Sequence, residues 1–290
     1  MKRKSIAEAF VDLSFYGPGL LLYLVVVVAT AVMGFYYSLT DWDGLRQTIR
    51  FIGFGNFAEL FKDKIFLNAL KNTIVFAVSY TVLHNVFGII LAAGISRKNL
   101  FKTLIFLPVI LSPVIVSFIW DYIYAPINGP LSTLARLLGY AEEIGWSGNP
   151  KLAMPLIIFT QLWYMMGLAM AIYVAGIKGI SDSYYEAARI DGATGLQQFR
   201  YITVPLLAPV MTIMLVYDMI TSLKVFEIIY IVTKGGPGYV TETVTLMVFR
   251  EAFRGSRMAY ATAASVVLFF LVLIITIVQL GLLQKREVEA

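Results

Sequence analysis

Residues 181–205 read SDSYYEAARIDGATGLQQFRYITVP, a polar stretch set between apolar runs at 152–177 and 206–232. Two short helices can be written from it. Ser183 and Glu186 have the Ser-x-x-Glu spacing of a capping box, in which side chain and backbone satisfy each other's free groups. That helix runs through Ile190, and Gly192 stands where a residue of positive φ would end it. Thr194 and Gln197 offer a second box, opening a helix over 196–202. Pro205 then starts the next apolar run, where a missing amide hydrogen costs little. The expected element is a helix–turn–helix lying across a membrane surface, with Tyr184, Tyr185, Ala188, Leu196 and Phe199 available to pack.

The runs on either side call for a membrane. A spanning helix needs about 20 mostly apolar residues, because each rises about 1.5 Å across a hydrocarbon core of about 30 Å. Six stretches qualify: 13–39, 67–95, 101–124, 152–177, 206–232 and 258–283. Each is nearly apolar all round, and a chain of 290 residues has no second layer to bury all six. Composition agrees, with 59% apolar and only 14% charged residues and a mean hydropathy of +0.78. A soluble chain carries roughly 25% charged residues. The fold class is all-α and polytopic, one transmembrane domain over 1–290 with membrane lipid as its solvent.

The same arithmetic removes several functions. The chain has no Cys, which excludes a disulfide framework and Cys-based zinc or redox sites. Its single His leaves no His cluster for a metal. The net charge of +5 is scattered over short segments, so no nucleic-acid footprint is present. Ala29-Thr30-Ala31 mimics a signal-peptide cleavage site, but the apolar run continues past it to Leu39, and a retained first helix is expected.

Lys and Arg counts do not by themselves orient the chain. The inside segments would hold Lys2, Arg3, Lys4, Arg97, Lys98, Lys102, Lys178, Arg189, Arg200, Lys285 and Arg286 at the higher density, which favours cytoplasmic termini. Loops at about 40–66, 125–151 and 233–257 then lie outside, and 178–205 lies inside.

The full spacing of the inner loop is the specific signal: Glu186-Ala187-Ala188, then Gly192, Ile202, Val204 and Pro205. It resembles the EAA loop of ATP-binding cassette importer permeases. Ser38-Leu39-Thr40-Asp41-Trp42 and Phe51-Ile52-Gly53-Phe54-Gly55-Asn56-Phe57 resemble the outer loop of the carbohydrate group. That group includes maltose, oligosaccharide and glycerol-phosphate systems. Lys224-Val225-Phe226-Glu227-Ile228-Ile229-Tyr230 and Thr233-Lys234-Gly235-Gly236-Pro237 resemble its fifth-span signature, although Glu227 replaces the commoner Asp. Val204 also replaces the usual Leu.

The resemblance implies a non-catalytic inner-membrane subunit, half of a sugar path. Its implied partners are a second permease, two ATPase subunits that use ATP and Mg, and an extracellular solute-binding protein. No cofactor is implied on this chain, and no Walker A pattern occurs in it. Tyr185, Glu186, Ala187, Ala188, Asp191, Gly192 and Pro205 would be the residues that couple to the ATPase.

Ionisable groups within spans are costly, about 2.5–3.5 kcal/mol each on insertion scales, and are expected to face protein or water. They are His84, Asp121, Asp218, Lys224 and Glu227. Lys224 and Glu227 are three apart on one expected helix and could neutralise each other. Counted from Leu206 at 1.5 Å per residue, Asp218 lies about 18 Å along the span and the pair about 27 and 32 Å. Tyr217, Thr221 and Lys224 share a stripe beside Asp218. Such a stripe serves equally to line a path or to join subunits.

Sugars are held by aromatic faces and paired hydrogen bonds. Trp120, Tyr122, Tyr124, Gln161, Trp163, Tyr164, Lys224, Phe226 and Glu227 supply these, although an interfacial aromatic belt also accounts for Trp and Tyr near span ends. Pro108, Pro113, Pro205 and Pro209 are expected kinks. His84 with Asn85 reads as a buried hydrogen-bonded pair. The rival reading, an ion-coupled carrier using Asp218 and Glu227, requires an internal repeat that the sequence lacks.

Overall fold

The computed structural model describes residues 6–95, 99–139 and 145–283. Lys2, Arg3, Lys4, Arg97, Lys98, Lys285 and Arg286, used above for orientation, lie outside them. Among the described residues the only pairing of extended backbone is one antiparallel bridge, between Thr40 and Phe51. Among the described residues four helices are long and apolar enough to cross a membrane: Ser14–Ser38, Lys64–Gly94, Ala153–Gly179 and Met258–Leu283. Two bent pairs bring the number to six if each is one span, Leu100–Ile110 with Pro113–Ile123 and Gly195–Leu206 with Ala208–Ser222. The expected outer loops also hold helices of their own, at Gly55–Leu60, Pro130–Leu137 and Val244–Phe253.

The chain divides into two compact units, 1–63 with 248–267 and 64–247 with 268–290. In the first, the buried Asn56 amide donates to the carbonyls of Ser38 and Thr40, both at 2.8 Å, and so closes the end of the first span. Arg257 pairs with Glu59 and lies over the Tyr260 ring at 3.9 Å. The Tyr260 hydroxyl donates to Asp63 at 2.6 Å. Asp43 is held below the usual carboxylate range, chiefly by the Arg46 backbone N–H and then by that of Leu45.

The second unit holds the interrupted spans. The third, expected over 101–124 with kinks at Pro108 and Pro113, is broken at the second of them. A residue before proline is pushed out of the helical region, and Leu111 and Ser112, with ψ of 152° and 142°, are extended ahead of Pro113. The two halves meet at 100°. Pro113 opens the second half where its missing N–H is harmless, and Ser112 caps it by accepting from the Val114 N–H. Gly167 lets the first half approach: a Cβ there would stand 2.5 Å from the Phe106 Cα and 2.6 Å from the Ile105 carbonyl oxygen.

The fifth span departs from expectation in two places. Pro205 does not open it. A wide π-type turn at Phe199–Thr203 joins the loop's second helix to it, and the bend of 66° falls at Leu207. Widening the turn before a proline relieves the ring's clash with the preceding backbone. The helix then stops at Ser222, and a new one runs Glu227–Val232 after Phe226 at φ −138°. Val225, Ile228, Ile229 and Val232 are buried in a cluster with Phe76, Tyr80, Tyr124 and Ile157, and this packing holds the interruption in place. A second cluster joins Ile89, Ala169, Tyr173, Leu207 and Met214.

Candidate functional site

The two interruptions share a cavity of about 200 Å³. Pro113, from the third-span break, lines it with Gln161, Tyr164 and Met165 of the fourth span. The fifth span contributes Thr221, Ser222, Lys224, Val225, Glu227 and Ile228. Four of the expected path residues are therefore brought together: Gln161, Tyr164, Lys224 and Glu227. Tyr164 also repairs the third break, since its hydroxyl donates to the Leu111 carbonyl at 3.0 Å, a group that the broken helix leaves open.

Lys224 and Glu227 are not partners on one helix. Lys224 lies in the turn after Ser222, its N–H donating to the Thr221 carbonyl at 3.2 Å, while Glu227 begins the next helix. No ion pair joins them among the described residues, and both side chains are exposed. The cavity thus carries one cation and one carboxylate, each open to a ligand, beside a phenol and an amide. The depths of about 18, 27 and 32 Å also fail, because they assumed a straight helix. The bend at Leu207 and the stop at Ser222 remove that ruler.

The remaining expected path residues lie outside this cavity. Trp120 sits within an aromatic group, edge-on to Phe159 and Trp163 at 5.4 Å and tilted to Tyr124 at 5.2 Å. Tyr122 and Tyr217 are exposed. Phe226 stacks on Tyr230 at 5.3 Å.

Asp218 and His84 are both fully buried. His84 Nδ1 lies 2.9 Å from Asp218 Oδ2, and Asn85 donates to the same oxygen at 2.8 Å. His84 Nε2 meets the Met165 carbonyl at 2.9 Å, and the Tyr173 hydroxyl donates to Asn85. His84 and Asn85 are thus buried as expected, but each pairs with Asp218, a residue whose distance in sequence hid it. Thr221 lines the cavity from the stripe read beside Asp218, whereas Met165 and Ser222 were missed, for nothing in their own chemistry marks them.

The inner loop holds the two expected helices, but the second runs only Gly195–Gln198 before the π-type turn, and the first begins differently. Its first helix, Asp182–Ile190, starts at Ser181, and the Ser183–Glu186 box does not form. Ser183 is already inside the helix, its hydroxyl 2.9 Å from that of Ser181. Glu186 is consequently free of capping and exposed. Gly192 has φ +76°, the Ala193 N–H reaches the Ala188 carbonyl at 2.8 Å, and the Gly192 N–H reaches that of Arg189 at 3.1 Å. These two bonds make a complete Schellman ending. The Thr194–Gln197 box forms. Tyr185 ties the helices together through Thr203 Oγ1 at 2.9 Å. Ile190 and Leu196 are 87% and 77% exposed, so the hairpin presents apolar tips that this chain does not cover.

Residues 84–288 match the family model of binding-protein-dependent transport system inner membrane components. The chain belongs to that family. Among its relatives is the probable starch degradation products transport system permease protein AmyD of Thermoanaerobacterium thermosulfurigenes, 36% identical over 95% of this chain and 94% of that one. The sn-glycerol-3-phosphate permease UgpA of Agrobacterium fabrum is 30% identical over 93% of each chain. A crystal structure of a bacterial transporter that imports the acidic polysaccharide alginate shares the fold, with a TM-score of 0.84 at 23% identity over 97% of both chains.

This permease is therefore a multi-pass inner-membrane subunit of an ABC importer, and the ATPase is a separate chain. The ion-coupled carrier reading falls with that assignment. Among the described residues no group of His, Cys, Asp or Glu could hold a metal ion.

Proposed function

We propose that this permease forms half of the path for a sugar or oligosaccharide, with the cavity between the broken spans as part of that path. The observation that carries the reading is the convergence of Gln161, Tyr164, Lys224 and Glu227 on one cavity. An amide, a phenol and two unpaired charges suit the hydroxyl groups of a sugar, which both donate and accept. Relatives named for starch degradation products and for sn-glycerol 3-phosphate support a carbohydrate-type cargo. Both units belong, in this reading, to one transmembrane permease domain. Trp120, Tyr122, Trp163, Tyr217 and Phe226 serve, in this reading, elsewhere along the path, outside this cavity.

The other parts of the importer follow from the inner hairpin. A second permease completes the path, an extracellular solute-binding protein delivers the sugar, and two ATPase subunits use ATP and Mg beneath it. Tyr185, Glu186, Ala187, Ala188, Asp191, Gly192 and Pro205 form the hairpin that docks on an ATPase, with Ile190 and Leu196 at its exposed tips. Both termini are then cytoplasmic.

The test is the assembled importer with Glu186→Ala or Gly192→Val. A β-branched residue at φ +76° is strained by at least about 1 kcal/mol and tilts one short helix against the other. Binding-protein-stimulated ATP hydrolysis and uptake should both fall, while the subunits still assemble. Unchanged uptake and hydrolysis in both variants would defeat the docking role. Single cysteines at Ser183 and Gly238 check the orientation, since an impermeant thiol reagent on intact cells should label position 238 and spare 183.

A further inference from the structure

The cavity wall is held from behind by groups that do not line it. Met165 faces the cavity, and its carbonyl accepts from His84 Nε2 at 2.9 Å. Gln161 also faces it, one turn before Met165 on the same helix, and the Tyr80 hydroxyl lies 3.4 Å from His84 Nδ1. On the opposite wall, Thr221 and Ser222 close the helix that carries Asp218, and the Thr221 hydroxyl donates to the backbone carbonyls of Tyr217 at 2.9 Å and Asp218 at 3.2 Å. One wall is thus fastened to His84 through the Met165 carbonyl, the other ends the helix that carries Asp218, and the two side chains, 0% exposed, meet at 2.9 Å.

A carbonyl can only accept, so Nε2 facing Met165 carries a hydrogen. One further proton lies between Nδ1 and Asp218 Oδ2, giving either imidazolium with carboxylate or imidazole with carboxylic acid. The net charge is zero in both forms, which suits a group in the membrane interior. Asp218 Oδ1 has no hydrogen-bond partner among the described residues. All of the carboxyl's side-chain bonding thus runs through one oxygen, toward His84 and Asn85. Through that oxygen the Asp218 carboxyl is held to His84 and Asn85.

We propose that His84 and Asp218 are positioning residues, which set the Gln161–Met165 wall of the cavity against the Thr221–Ser222 wall. The proposal rests on the cavity reading above for its link to cargo. The geometry it concerns can be probed without any cargo.

The experiment uses the complete importer carrying Thr221→Cys in this otherwise Cys-free chain. Asp218→Asn and His84→Gln, similar in size to the residues they replace, are added singly and together. The readout is the rate at which N-ethylmaleimide alkylates position 221 in assembled complexes, with Gly238→Cys as a control. Each substitution should change the rate at 221 roughly tenfold, the scale of one buried hydrogen-bonding group left unpaired. The double variant should match the singles, because both act through one chain of contacts. The control rate should not move.

Rates at 221 within about twofold of the parent would overturn the proposal, even if the yield of complex drops, because a purely structural role lowers yield alone. Should neither variant assemble, Tyr173→Phe removes only the hydroxyl that holds Asn85, and the same criterion applies to it. Failure of the cavity reading shows separately. In that case, alkylating Thr221→Cys in the parent would leave sugar uptake intact whatever the rates show.

Discussion

The third and fifth spans are both interrupted, but different forces interrupt them. In the third, Pro113 favours an extended residue before it and Ser112 caps the half that follows, so the break is local chemistry. The fifth has its prolines at 205 and 209, next to the bend at Leu207, yet its second interruption at 223–226 contains neither Pro nor Gly. There the chain leaves the helix because Val225, Ile228 and Ile229 are taken up by a cluster built from three other helices. One break is written in the residues that make it; the other is written in its neighbours. A cavity bounded by both brings Pro113 to the same space as Lys224 and Glu227.

That contrast can be broken most forcefully through the packing. Gly167→Leu would drive a side chain into the backbone of Phe106 and Ile105, so the first half of the third span must move. Overpacking of this kind should cost on the order of 3 kcal/mol, read as a lower melting temperature of the detergent-solubilised importer. A melting temperature unchanged from the parent would mean that the two segments do not pack closely.

A smaller effect is expected from Tyr164→Phe. It removes the bond to the Leu111 carbonyl and should cost about 1 kcal/mol. Uptake should fall as well, since the same phenol lines the cavity. Normal melting together with normal uptake would contradict both parts.

Pro113→Ala should have the smallest effect, a loss of about 0.5 kcal/mol from a more flexible unfolded chain, with the break kept by Ser112 and Tyr164. Stabilisation instead would show that the proline strains a span which prefers to be straight.

The same division explains what could be read beforehand. Apolar length marked the six runs, and local capping rules marked Gly192 and the Thr194–Gln197 box, because each depends on a few adjacent residues. The Ser183–Glu186 spacing misled because Ser181, two residues earlier, is equally able to begin the helix. Gln161, Tyr164, Lys224 and Glu227 were legible as polar or aromatic groups in apolar runs, but their common cavity was not. It depends on where two helices break and meet. Asp218 and His84 are similar: each stands out alone, and only packing pairs them.

The central claim is that the cavity between the two breaks is part of the cargo path. Lys224→Met combined with Glu227→Gln tests it most directly, since it removes both charges from the cavity while leaving Tyr164 and the buried pair in place. Uptake of sugar is measured in an importer shown by purification to be intact. The account predicts that uptake falls by about tenfold or more, the scale of losing charged hydrogen-bonding groups. Wild-type uptake from an intact double variant would contradict it.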